Sequence, residues 1–124
     1  MSSSQDVFAV GNVRGFLHRP KDKNDNTLIL THGAGANCNS PLLVALAEEF
    51  CDRGFTVLRY DLPFRQARPH GPPPRGSAER DLQGLRAAIE TVRPHTKDRL
   101  FLGGHSYGGR QASMLAAANP NLVD

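Results

Sequence analysis

Tryptophan is absent from this chain, and cysteine is limited to Cys38 and Cys51. Two thiols make no disulfide framework, so a packed core must hold the fold, and a reducing cytoplasm is the expected setting. Long apolar runs are missing too. No segment approaches the roughly 18 residues needed to span a bilayer, so no membrane partner is expected. Met1 to Gln5 is polar with no apolar segment behind it, and no signal peptide is expected. The net charge of +3 comes mostly from scattered arginines. The one local concentration is Arg65, Arg68 and Arg75, in a proline-rich stretch. Nucleic-acid binders gather their cations on one helix or stripe with aromatics between them, so no nucleic-acid partner is expected either.

What is present describes one globular domain. A charged fraction of 22% and an apolar fraction of 39% over 124 residues suffice for a single core. Val7 to Val10 and Val13 to Leu17, broken by Gly11-Asn12, read as a β-hairpin. Thr27 to Thr31 fits a strand buried on both faces. Ser40 caps a helix with Pro41 at its first position and Leu42, Leu46 and Phe50 on one stripe, ending at Gly54. Phe55 to Tyr60 is a β-branched and aromatic strand. Leu62 to Gly76 holds five prolines and reads as loop. Ser77 opens a helix with Leu82, Leu85, Ile89 and Val92 on one face. Leu100-Phe101-Leu102 is another buried strand, and a last helix runs from about Ser106 to Ala118. Alternating short strands and helices after a hairpin imply an α/β fold with parallel strands and helices on both faces.

The chemistry concentrates at Gly104-His105-Ser106-Tyr107-Gly108, a G-x-S-x-G match between a buried strand and a helix. That context is what the motif requires: the serine sits on a sharp, strained turn that exposes its hydroxyl. The flanking glycines avoid collision with the neighbouring strand or helix, and Gly103, Gly109 and Ala112 extend the requirement. Gly33-Ala34-Gly35 invites a nucleotide reading, but a dinucleotide fingerprint needs glycine where Cys38 stands, and no Gly-Lys-Ser/Thr occurs.

Strand–His32-Gly33-Ala34-Gly35-Ala36–helix, strand–Tyr60-Asp61-Leu62-Pro63–loop and strand–Gly103-Gly104-His105-Ser106-Tyr107-Gly108-Gly109–helix, in this order, resemble an α/β-hydrolase. More narrowly, the sequence is similar to the dienelactone-hydrolase-like group, from about Val7 onward. The resemblance implies Ser106 as nucleophile, with the backbone N–H groups of Tyr107 and Ala34 stabilising the oxyanion. His32, Gly33, Gly104, His105 and Gly108 support the loop and elbow. It implies a small-molecule acyl substrate (an ester, lactone or thioester) and no metal or cofactor.

One part of the pattern fails. The triad order in this fold is serine, then acid, then histidine. After Ser106 there is no histidine, and the one acid is Asp124. The chain thus reads as the N-terminal part, residues 1–124, of a single α/β-hydrolase domain with later strands missing. It is expected to be a fragment or a truncated relative, with the base supplied from beyond position 124. Of the histidines upstream, His32 is expected to order the oxyanion loop, His70 to lie in a mobile proline loop, and His18 and His95 to be exposed. His105 adjoins the serine, but adjacent side chains diverge on such a turn. Asp61 reads as a strand-end turn residue, Cys38 as a buried filler, and Tyr107's ring as a wall of the acyl pocket. Arg65 and Arg68 are expected on a lid that favours acidic substrates. The strand around Phe101 should be an exposed apolar edge, open to self-association. The alternative to a serine hydrolase is a non-catalytic α/β-hydrolase-like binding module working through that edge.

Overall fold

The computed structural model describes residues 4–124. Two antiparallel strands, β1 (Ser4–Val10) and β2 (Val13–Arg19), lead into β3 (Asn26–Thr31), α1 (Pro41–Asp52) and β4 (Thr56–Tyr60). A short helix α2 (Pro63–Ala67), helix α3 (Ala78–Val92), strand β5 (Arg99–Gly104) and helix α4 (Tyr107–Ala118) complete the order. The strands form one sheet in the order β1-β2-β4-β3-β5. β3 is parallel to both β4 and β5, while β2 joins β4 antiparallel. The parallel strands therefore deliver three segments to one edge of the sheet: the turn after Thr31, the turn after Tyr60 and the turn after Gly104.

Both faces are covered. Leu28, Leu30 and Val57 pack with Leu43 and Ala47 of α1, while Ile29, Leu58 and Leu100 pack with Leu85 and Ile89 of α3 and Leu115 of α4. Ser40 caps α1 by accepting from the Leu43 N–H at 3.2 Å. The buried stripe of α1 is Leu43, Ala47 and Cys51, one position on from the expected one, and Leu42 is exposed. Two bulky stripes lie side by side on this helix, and the sheet face selects between them. The proline-rich stretch is not all loop. Pro63 supplies the fixed φ of a first helical position and starts α2.

The edge differs from expectation in one respect. Leu100 is fully buried, its N–H donating to Asp124 Oδ2 at 2.8 Å and its carbonyl accepting from the Asp124 N–H at 2.7 Å. A strand residue points its N–H and C=O to the same side, and alternate residues share that side. The free edge is thus reduced to Leu102 and Gly104, beside a groove of about 290 Å³ under Ala112 and Ala116 of α4.

His18 is buried, contrary to expectation, because Arg59 of the adjacent strand needs an acceptor. Arg59 Nε donates to His18 Nε2 at 2.9 Å, and Arg59 Nη1 donates to the Cys38 carbonyl at 2.7 Å. The ring proton of His18 then sits on Nδ1 and the imidazole is neutral. Burial, and next the Arg59 charge, hold His18 below its ordinary value of 6.5, against a weaker pull from Glu48. The folded state therefore binds fewer protons than the unfolded chain. Stability is fully present above the ordinary histidine value and declines as pH falls through it toward the lowered folded value. Urea midpoints are expected to drop between neutral and mildly acidic pH, and less so in His18→Gln, whose amide oxygen accepts from Arg59 without titrating. Buried His32, also lowered, adds a residual slope of the same sign. An unchanged slope in His18→Gln would refute the assignment.

Candidate active site

Ser106 occupies the turn between β5 and α4 with φ 54° and ψ −116°, a left-handed conformation that side chains rarely adopt. Holding a non-glycine residue there costs on the order of 1–3 kcal/mol, which the surrounding packing must supply. Ser106 is exposed, as are Gly104 and His105 on the same turn.

Two glycines make the turn possible. A Cβ on Gly104 would lie 2.5 Å from the Gly108 carbonyl carbon, and one on Gly108 would lie 2.4 Å from the His32 oxygen. Both obstacles are backbone and cannot move aside. The second contact also shows how closely α4 sits on the turn after β3.

The turn after β3 reaches the serine. A Cβ on Gly33 would come within 3.3 Å of His105 Nδ1 and 3.5 Å of Ser106 Cβ. The His105 N–H donates to the Thr31 carbonyl at 3.1 Å, locking the two strand ends together. Within this turn His32 is fully buried, its Nε2 accepting from the Leu62 N–H at 3.1 Å while Nδ1 lies 2.8 Å from the Gly33 carbonyl. The acceptor role of Nε2 places the proton on Nδ1, which therefore donates to Gly33. Burial holds its pKa below the ordinary value. His32 is thus a neutral brace between the Gly33 turn and Leu62.

Its consequence lies in the next peptide. The Gly33 carbonyl, held by His32 and by the Ala36 N–H at 3.2 Å, shares a planar trans peptide with the Ala34 N–H. Fixing the oxygen on one side turns that N–H to the other. Arg65 fixes the following carbonyls, donating from Nη2 to Ala34 at 2.9 Å and from Nε to Ala36 at 2.7 Å.

Arg65 corrects the expected lid. It is 6% exposed, and its remaining bonds go to the carbonyls of Arg68 and Gly71. A guanidinium committed to four carbonyls is a strap between loops and has no free fork for a substrate carboxylate. Arg68 and His70 are exposed on the strapped segment.

Two other residues depart from their readings. Asp61 accepts from the Cys38 N–H at 2.8 Å and so ties the strand end to the start of α1's loop. It lies 3.7 Å from His32 Nε2, beyond hydrogen-bond distance. Tyr107's ring turns inward, edge-on to Phe64, instead of lining an acyl pocket. Asp81, not singled out in the sequence, is fully buried and accepts from the Tyr107 hydroxyl at 2.6 Å. Its only sequence signal was an acid in the first turn of an amphipathic helix, which reads as an ordinary dipole contact. Cys38 is the buried filler expected, its thiol pushed up to about 12 by burial and the Asp61 charge.

Among the described residues no helix is long and apolar enough to cross a membrane, and no cluster of His, Cys, Asp and Glu could hold a metal ion. A cavity of about 540 Å³, walled by Phe8, Leu17 and Val92, opens at the other end of the parallel strands, beside Thr27 and Thr56. It is remote from Ser106, and the site is defined by the strand-end turns and not by that volume.

A strained serine at the carboxyl edge of a parallel sheet, on a strand-to-helix turn pressed against a glycine loop, is the arrangement of an α/β-hydrolase. The family model for the alpha/beta hydrolase domain matches residues 24–123, and the chain belongs to that family. No curated protein sequence matches it significantly. Dienelactone hydrolase from Anabaena variabilis superposes with a TM-score of 0.74 at 24% identity, covering 99% of this chain and 60% of its own. An alpha-beta serine hydrolase homologue from Coxiella burnetii gives 0.72 at 20% identity, covering 96% and 59%. Est1E from Butyrivibrio proteoclasticus, with ferulic acid bound, gives 0.76 at 19% identity, covering 95% and 49%. At these identities the likeness is one of fold, and the chain spans three-fifths or less of each neighbour's length.

Proposed function

We propose that this chain carries the nucleophile half of a serine hydrolase that acts on a carboxylic ester, lactone or thioester. The observation that carries the reading is the left-handed backbone of Ser106 in contact with the Gly33-Ala34 turn. In the proposed reaction Ser106 Oγ attacks the acyl carbon and its proton passes to a histidine. The N–H groups of Ala34 and Tyr107 receive the charge that develops on the carbonyl oxygen. Collapse of the tetrahedral adduct expels the alkoxide or thiolate, which takes up that proton. Water then releases the acid from Ser106.

The histidine and its acid are assigned to residues outside these 124. His32 is committed to Leu62 and Gly33, His18 accepts from Arg59, and His70, His95 and His105 are exposed with no hydrogen bond to the Ser106 side chain among the described residues. The greater length of the fold neighbours supports that assignment. The acyl substrate class is supported by the dienelactone hydrolase among the fold neighbours, and a cytoplasmic setting by a cysteine content too small for a disulfide framework.

The nucleophile assignment is tested without a histidine. At mildly alkaline pH hydroxide serves as base, and a fluorophosphonate should label the folded chain slowly, faster than the urea-unfolded chain, at Ser106. Peptide mapping by mass spectrometry should find the adduct there and nowhere in Ser106→Ala. Equal labelling of folded and unfolded chains would overturn the reading.

A further inference from the structure

Asp81 is a fully buried carboxylate, and among the described residues no cation is bonded to it. Burying such a group is costly unless hydrogen bonds satisfy it. Its bonds are specific. Oδ1 accepts from the Phe64 N–H at 2.9 Å, and Oδ2 accepts from the Tyr107 hydroxyl at 2.6 Å and from Ser77 Oγ at 3.2 Å. Packing alone does not require this arrangement, since phenylalanine at position 107 would fill the same space against Phe64. The hydroxyl and the carboxylate are present together, and they join α3 to the residue that follows Ser106.

That residue occupies the first position of α4, directly after the strained turn. Its ring is held edge-on to Phe64 at 5.7 Å, and Phe64 is anchored by the same carboxylate. One carboxylate thus fixes the hydroxyl end of Tyr107 and the ring it packs on. A residue pinned at both its ring and its phenol has little freedom to rotate its own backbone N–H.

We propose that Asp81 is a positioning residue that acts through Tyr107, setting the direction of the Tyr107 N–H toward the oxyanion and stabilising the strained Ser106 turn. The proposal rests on the reading of Ser106 as nucleophile. Burial, and next the bond to Asp81, raise the Tyr107 phenol above its ordinary value, so the contact persists at the alkaline pH of the labelling assay.

The test uses the 124-residue chain and its labelling by a fluorophosphonate at mildly alkaline pH. Tyr107→Phe removes the phenol and keeps the ring. It should lower the limiting labelling rate ten- to a hundredfold, on the order expected for a small misplacement of a catalytic group. The probe concentration for half-maximal rate should not change. Asp81→Asn should act similarly, and the double variant should be no slower than the worse single one, because both remove one interaction. If Asp81→Asn fails to give a cooperative melt, Tyr107→Phe carries the test alone. Parental rates in Tyr107→Phe, or losses that multiply in the double variant, would overturn the proposal. If the folded parent labels no faster than unfolded chain, it is the nucleophile assignment that fails.

Discussion

Hydrolysis of p-nitrophenyl acetate by the 124-residue chain at neutral pH is expected to fall on the order of a millionfold below that of a complete triad. On the proposed reading the deficit is one of base and not of nucleophile geometry. Ser106 holds its strained turn, and the Ala34 peptide is fixed by the His32 and Ala36 bonds to Gly33. Oxyanion donors and binding alone leave about 10³–10⁴-fold over water when a triad member is removed. Adding a polypeptide that supplies an acid and a histidine should restore turnover, and Ser106→Ala should abolish it again. Steady-state rates with and without that polypeptide check the claim. Normal enzyme rates from the chain alone, lost in His70→Ala or His105→Ala, would mean that an upstream histidine is the base.

Arg65→Ala is expected to destabilise the chain by about 3 kcal/mol, a lowering of the melting midpoint by roughly 10 °C. The guanidinium is the common donor to the carbonyls of Ala34, Ala36, Arg68 and Gly71, at 2.7–3.0 Å. Its removal leaves four acceptors that water reaches only in part, each costing about 1–3 kcal/mol when dry. It also removes the cation stacked 4.8 Å above the Phe64 ring. Proteolytic cleavage should move into positions 68–76, since the strap to the Ala34 turn is gone. Arg65→Lys should recover little, because one ammonium cannot fork to four carbonyls on two segments. A melt and cleavage pattern like the parent's would show that Arg65 carries no such load.

The local rules in the sequence were reliable wherever one residue type decides the backbone. Glycines on either side of Ser106, Ser40 before Pro41, and apolar strands alternating with amphipathic helices set the elbow, the cap of α1 and the α/β order. Each depends on near neighbours in the chain, and composition alone argued against a membrane span or a disulfide scaffold. Family resemblance then implied roles for Ser106, Ala34 and Tyr107 that the proposed function adopts, and the matched domain spans residues 24–123.

Residues whose partners lie far along the chain were not legible. His18 is buried because Arg59, 41 positions away and diagonal to it on the paired strand, donates to its ring. Arg65 looked like a surface cation in a proline loop, yet it bonds a turn 29 and 31 positions earlier. Asp81 reads as an exposed first-turn acid until Tyr107, 26 positions on, is folded against it. Hydrophobic periodicity reports only which face of an element is apolar. It carries no record of which polar side chain meets which carbonyl once the sheet has brought three strand ends together. The sequence by itself determined the α/β order and the serine turn, because both follow from local backbone sterics and apolar spacing. The tertiary structure alone decided how that turn is braced, because buried polar groups must find partners wherever the fold places them.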